Sequence, residues 1–225
     1  PATGGHSSAP PPETGVEVLA RAVLAITGAA FPLEFKGPAA DMVRALAPDA
    51  PLLVRVAVAN EWLFRPLLVR QIAATDAGAA TLHTTIAPTM LRGSPKENVL
   101  PQDATAWINY RIAPGQTAAQ VMEHASDATK NLEVELAWEG QAYDPPPVSS
   151  HDSDAYRLIA TLASDGGRLP VAPGLVTATT DSRSLEGIAE NIYRYSPMDA
   201  SLRDFEMIHG TNEHMTLEKV GRMTG

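Results

Sequence analysis

The chain has 225 residues, of which 44% are hydrophobic and 19% charged, so it has ample apolar material for a packed core and not the composition of a disordered protein. Its net charge of −9 argues against a nucleic-acid or anionic-membrane partner, since both recognise a basic surface. The lack of cysteine excludes disulfides, thiol nucleophiles and cysteine-ligated zinc, and no apolar run reaches the roughly 18 residues of a membrane-spanning helix.

The first predicted elements are helices. Thr14-Gly15-Val16-Glu17 has the form of a capping box, and apolar residues then recur at helical spacing as far as Gly28. Residues 38–76 are predicted to form helical pieces. Three prolines are expected to cut these pieces apart, namely Pro48, Pro51 and Pro66.

The pattern then changes to strands. Residues 81–86 and 104–112 are rich in β-branched side chains and roughly alternate, with a loop at 93–97 between them. A second boxed helix is predicted from Thr117 to about Lys130, followed by an alternating strand over 132–138. This order predicts an α+β fold, with helices on one face of an antiparallel sheet.

Asp144-Pro145-Pro146-Pro147 is a stiff linker and the best candidate for a domain boundary. Beyond it we predict a helix at about 153–164, a strand at about 171–178, a short helix near 184–189 and a last helix from near Thr216. This second segment is too short for an independent α/β domain, so we expect it to pack against a part not included in the chain. The start at Pro1 likewise indicates a cut inside a longer protein.

Five residues carry side chains that suit a functional site, and each has a simpler explanation. An exposed His6 could donate a hydrogen bond to a developing oxyanion, but chemistry alone favours an ordinary loop histidine. His209 is placed like a metal ligand at a strand end, although its spacing from other histidines matches no known pair. Arg183 could clamp a carboxylate or belong to a helix cap. Asn98 and Arg111 flank strands and could equally be a turn asparagine and a surface arginine.

Several short segments together resemble M20 metallopeptidases, in the branch of carboxypeptidase S and the N-acyl-amino-acid hydrolases. Each is weak singly, but they occur in the family's order over nearly the whole chain. The segments are Gly4-Gly5-His6-Ser7-Ser8, Asn98-Val99-Leu100-Pro101, Asn109-Tyr110-Arg111-Ile112-Ala113-Pro114-Gly115, Thr180-Asp181-Ser182-Arg183, Asn191-Ile192-Tyr193-Arg194-Tyr195 and His209-Gly210-Thr211-Asn212-Glu213.

The resemblance implies a two-zinc hydrolase of peptides or N-acyl-amino acids. Residues 1–143 would be its lid, through which two subunits form a homodimer, and 144–225 an incomplete α/β segment of the catalytic domain. By resemblance, His6 reaches the partner's active site and polarises the scissile carbonyl, beside Asn98. Arg111 binds the substrate carboxylate, and Arg183 lines the same pocket. His209 is the family's last zinc ligand, and Glu213 supports that ligand from behind.

The chain departs from the family in lacking its upstream His-x-Asp, bridging Asp and Glu-Glu pair. Two zinc ions sharing a bridge need roughly five protein ligands, so the chain without its N-terminal catalytic half is expected to be inactive. Ser184 replaces an expected aromatic residue or histidine, which leaves substrate preference open. The alternatives are a non-catalytic dimerisation module, or a deacylase of an intermediate such as succinyl-diaminopimelate or acetylornithine, which the 191–195 segment disfavours.

Overall fold

The computed structural model describes residues 3–176, 180–198, 200–201, 204, 207–208 and 210–224. The chain divides into two compact units: one comprises Pro1–Val148 and Pro173–Thr179, the other Ser149–Ala172 and Thr180–Gly225. The described residues combine helices with two small antiparallel sheets, so the predicted α+β class is confirmed. The assignment of 1–143 to a lid and 144–225 to a catalytic segment stays a prediction.

Helix α1 (Gly15–Gly28) begins where the sequence predicts. The Thr14 side chain accepts the Glu17 N–H at 3.3 Å, and the Glu17 carboxylate accepts the Thr14 N–H at 2.7 Å. This reciprocal pair satisfies donors that the first helical turn would otherwise leave unpaired. The bonds from Thr14 also hold the pKa of Glu17 below its usual value.

Four helices follow α1 and enclose a core of their own. They are α2 (Gly37–Leu46), α3 (Leu52–Ala59), α4 (Glu61–Ile72) and α5 (Asp76–Ala80). Their shared core contains Phe35, Ala39, Ala40, Ala57, Leu68 and Leu82.

The predicted break at Pro66 is wrong, because Pro66 lies inside α4. A proline inside a helix costs about 3 kcal/mol. Packing on both sides of it offsets this cost, since Leu68 is buried and Phe64 and Val69 contact the same core. Pro48 and Pro51 do lie between helices: Pro48 is in a short 3-10 turn and Pro51 directly precedes α3.

Two separate two-stranded sheets follow. In one, β2 (Thr85–Arg92) pairs antiparallel with β4 (Thr105–Arg111). In the other, β1 (Gly5–His6) pairs with β3 (Val99–Leu100). Strand β2 begins and ends later than the predicted 81–86, and its register shifts between Pro88 and Met90. This irregularity accommodates a proline, which has no N–H to donate to a ladder.

Helix α6 (Ala118–Thr129) begins at the predicted Thr117–Gln120 capping box. It packs against α1, and α1 in turn contacts strands β2 and β4. The buried apolar side chains of the pair are small or medium-sized: Ala22, Ile26, Ala118, Val121 and Ala125. The Asp144 carboxylate accepts the Ala118 N–H at 2.7 Å, which ties the start of the proline linker to the helix.

The predicted strand at 132–138 is wrong. Burial alternates as expected, with Leu132, Val134 and Leu136 half-buried between exposed glutamates, but these residues join no sheet. The Val134 N–H donates locally to the Leu132 carbonyl at 3.0 Å. Alternation reports which side chains face the core, whereas a strand also needs a partner for its backbone.

The second unit contains α7 (Asp154–Ala163) and α8 (Leu217–Thr224), both close to prediction. A 3-10 helix at Asp181–Leu185 takes the place of the predicted helix near 184–189. The described part of the predicted strand, residues 171–176, is irregular, and residues 177–178 lie outside the described residues.

Candidate functional site

Strand pairing brings His6 and Asn98 together. His6 lies opposite Val99 in the ladder between β1 and β3, and the Ser7 N–H donates to the Asn98 carbonyl at 3.1 Å. Both side chains are exposed. Two segments that the sequence singled out, far apart along the chain, therefore meet through their backbones in the first unit.

Ser8 holds the His6 imidazole, a role that the sequence did not predict. The Ser8 N–H donates to Nδ1 at 3.2 Å, and the Ser8 hydroxyl lies 2.8 Å from the same nitrogen. A peptide N–H can only donate, so Nδ1 accepts, and in the neutral ring the proton resides on Nε2. The spacing of two residues between His and Ser was the signal for this contact.

Gly4 allows this arrangement by close backbone approach. A Cβ added at Gly4 would lie 2.7 Å from Cγ of Gln102 and 3.2 Å from the carbonyl oxygen of Leu100. At Gly5 nothing lies within 4 Å of the same position. Of the two glycines before His6, only Gly4 is required by its surroundings to lack a side chain.

An open groove borders this surface at the N-terminal end of α1. It is lined by Thr14, Val16, Ser94, Pro95, Lys96, Glu97, Val99, Leu100 and Pro101. Val99 belongs both to the groove wall and to the strand pair that holds His6. The groove carries one charge of each sign, and its shape leaves a bound group in contact with solvent.

Arg111 is the last residue of β4 and lies opposite Thr85. It is exposed, and it belongs to the other sheet, so no shared ladder joins it to His6. Its neighbour Tyr110 has a buried hydroxyl without a hydrogen-bond partner in the described part of the chain. Burial raises the pKa of that hydroxyl.

In the second unit, Arg183 is half-buried within the 3-10 helix Asp181–Leu185. A contact that the sequence did not foresee joins its segment to the 191–195 segment: the Arg194 Nε donates to Thr180 Oγ1 at 3.1 Å. Glu213 is exposed in the loop before α8. The predicted zinc ligand His209 lies outside the described residues.

Across the described ranges, no three histidine, aspartate or glutamate side chains converge as a metal site would require. The described helices also include none that is long and apolar enough to cross a membrane.

The model of the M20 peptidase dimerisation domain matches residues 2–136. The chain belongs to this M20 family. The M20 chain is 36% identical to the N-fatty-acyl-amino acid synthase/hydrolase PM20D1 of Xenopus tropicalis and 35% identical to that of Homo sapiens, over 96% of its own length and 43% and 44% of theirs. It is 30% identical to a probable carboxypeptidase S-like protein of Dictyostelium discoideum, over 96% of its length and 41% of that protein.

The M20 chain thus spans less than half the length of the curated relatives it matches, and it aligns with their C-terminal part. The carboxypeptidase S-like and N-acyl-amino-acid hydrolase branch that the sequence motifs indicate is confirmed at the level of the family. No solved structure matches the chain significantly.

Proposed function

We propose that the chain is part of a zinc-dependent hydrolase that cleaves the amide bond of peptides or N-acyl-amino acids, and that His6 is its oxyanion donor. One observation carries the proposal most directly. His6 pairs through its backbone with Val99, the residue after Asn98, and with Nδ1 accepting the Ser8 N–H its ring has a single N–H, on Nε2, available to a substrate oxygen. A donor fixed before the reaction stabilises negative charge as it develops, without reorganising solvent.

The other predicted residues complete this scheme. Arg111 binds the free carboxylate of the amino-acid product, with Arg183 in the same pocket, because a guanidinium matches a carboxylate with two parallel hydrogen bonds. Asn98 contacts the carbonyl side of the substrate. The names of the relatives, fatty-acyl-amino acid hydrolase and probable carboxypeptidase, favour N-acyl-amino acids and peptides as the substrate class.

His209 supplies one of the zinc ligands, and Glu213 orients it through hydrogen bonding. Two zinc ions, when bound, would polarise the carbonyl and activate a water molecule. The remaining ligands come from the N-terminal half of the full-length protein, so the 225-residue chain alone is inactive.

We further propose that the subunits form a homodimer. The matched family model is that of a dimerisation domain. The helix pair α3 and α4 also leaves several large apolar side chains open to solvent, among them Leu53 at 82% and Trp62 at 79% exposure. Clustered apolar exposure of this kind typically marks a contact surface. A monomeric mass in sedimentation equilibrium of the full-length protein would contradict this part of the proposal.

The catalytic proposal is tested on the full-length protein with a matched substrate panel: a long-chain N-acyl-amino acid, an N-acetyl-amino acid and a dipeptide. Hydrolysis of at least one member should be lost on chelation and return with zinc, and His209→Ala should abolish both zinc binding and activity. The 225-residue chain should bind zinc weakly and hydrolyse none of the panel. Tight two-zinc binding by this chain alone, or activity in full-length protein stripped of metal, would refute the assignment.

A further inference from the structure

The turn that follows His6 folds Ser8 back over the imidazole. The Ala9 N–H donates to the His6 carbonyl at 3.3 Å, which closes a four-residue turn. Within that turn the Ser8 N–H and hydroxyl both approach Nδ1, at 3.2 Å and 2.8 Å. On the other side, the bond from Ser7 to the Asn98 carbonyl holds the base of the turn against β3.

These contacts select one of two ring forms. A neutral histidine can carry its proton on either nitrogen, and the form adopted is set by the hydrogen bond made by the other nitrogen. The Ser8 N–H directed at Nδ1 favours the form with the proton on Nε2, and in that form the Ser8 hydroxyl donates to Nδ1 as well. In the opposite form, the proton on Nδ1 would face the Ser8 N–H, and Nε2 would have nothing to donate.

We propose that Ser8 is a positioning residue for His6, which fixes both the orientation of the ring and its Nε2–H form. The inference rests on the proposed function only for its catalytic consequence, since the ring form is a property of the folded chain. Ser8 acts through His6 and does not contact the substrate.

The same geometry argues against a second role, in which Ser8 is a nucleophile activated by His6. Such a pair needs a histidine nitrogen free to take the serine proton, with a third group holding the other ring nitrogen. Here Nδ1 also accepts the Ser8 N–H. Nε2 has no carboxylate partner among the contacts of the described residues.

Long-range ¹H–¹⁵N NMR on the 225-residue chain measures the ring form directly. Wild type should show predominantly the Nε2–H form. Ser8→Ala removes one of the two donors and should raise the fraction of the other form, whereas Ser8→Thr keeps the hydroxyl and should restore it. Ser7→Ala is the matched control, because the Ser7 contact to Asn98 uses only backbone atoms. An unchanged ring form in Ser8→Ala, or an equal change in Ser7→Ala, would overturn the proposal.

The catalytic arm uses the full-length enzyme. Ser8→Ala should lower kcat about tenfold, the effect expected for one hydrogen bond, with KM little changed and recovery in Ser8→Thr. Labelling of Ser8 by a fluorophosphonate would instead make it a nucleophile and refute the positioning role. The two proposals fail differently: a full-length protein with no amidase activity refutes the proposed function, whereas an unaltered NMR signature in Ser8→Ala refutes this inference.

Discussion

The Ser7 N–H donates to the carbonyl oxygen of Asn98 at 3.1 Å, at the point where the pairing of β1 with β3 ends. This bond sets the distance between the loop that carries His6 and the segment that carries Asn98. Neither strand is longer than two residues, so the arrangement depends on a few backbone bonds and on the packing at Gly4.

In the complete enzyme, His6→Ala should lower kcat by roughly 10²–10³, the loss seen when one oxyanion donor is removed. KM should change much less, because the bond is made mainly in the transition state. Steady-state kinetics with metal analysis checks both points. Zinc content should be unaffected, and loss of zinc would show that His6 is a ligand and not a donor.

If His6 acts in the partner's active site, two inactive variants should complement each other. A heterodimer of His6→Ala and His209→Ala subunits would contain one site with both an intact donor and an intact ligand. After subunit exchange is confirmed by mass spectrometry, the mixture should be more active than either parent. A mixture no better than its parents would show that the donor acts within its own subunit.

Gly4→Ala should destabilise the first unit, because the added Cβ would meet Gln102 and the Leu100 carbonyl. Overpacking of this kind costs about 1–3 kcal/mol. Gly5→Ala is the matched control, since open space surrounds that position. In thermal unfolding, Gly5→Ala should therefore have a higher melting temperature than Gly4→Ala. Adding Gln102→Ala to Gly4→Ala removes the nearer obstacle and should recover part of the lost stability. Equal melting temperatures for the two glycine variants would contradict this explanation.

Thr84→Val should destabilise the fold by about 1–3 kcal/mol, the cost of leaving a buried donor unpaired. Thr84 is fully buried; its hydroxyl accepts the Ala113 N–H at 2.8 Å and donates to the Gln116 side chain. Valine keeps the shape but loses both bonds. Urea unfolding provides the measurement. Thr89→Val, at an exposed position of β2, should stay within about 0.5 kcal/mol of wild type.

Stability should also depend on pH through Glu17. Its pKa is lowered in the folded state by the bonds from Thr14, so its ionised form stabilises α1 above the unfolded pKa, and this contribution is lost as pH falls through the folded pKa. Glu17→Gln keeps a capping side chain without the charge. The stability difference between wild type and Glu17→Gln should therefore shrink between about pH 7 and pH 3. Glu133→Gln, outside any helix, provides the control, and a difference that grows in acid would contradict the prediction.

The sequence by itself determined the features that depend on neighbours along the chain. Helices α1 and α6 begin at their predicted capping boxes. In each box, two residues three positions apart exchange side-chain to backbone hydrogen bonds: Thr14 with Glu17, and Thr117 with Gln120. Strand β4 follows its own alternating pattern. The family could also be inferred, because the order of short segments along a chain needs no knowledge of their contacts.

Only the tertiary structure decided features that depend on distant partners. Pro66 stays inside α4 because a core built from other helices offsets its cost. Residues 132–136 alternate in burial but form no strand, since they pair with no other segment in a ladder among the described residues. The contact between the His6 and Asn98 segments likewise arises from the pairing of β1 with β3, two strands that lie far apart along the chain. Local patterns report propensity and burial, whereas ladders and shared cores are properties of segments that meet only when the chain has folded.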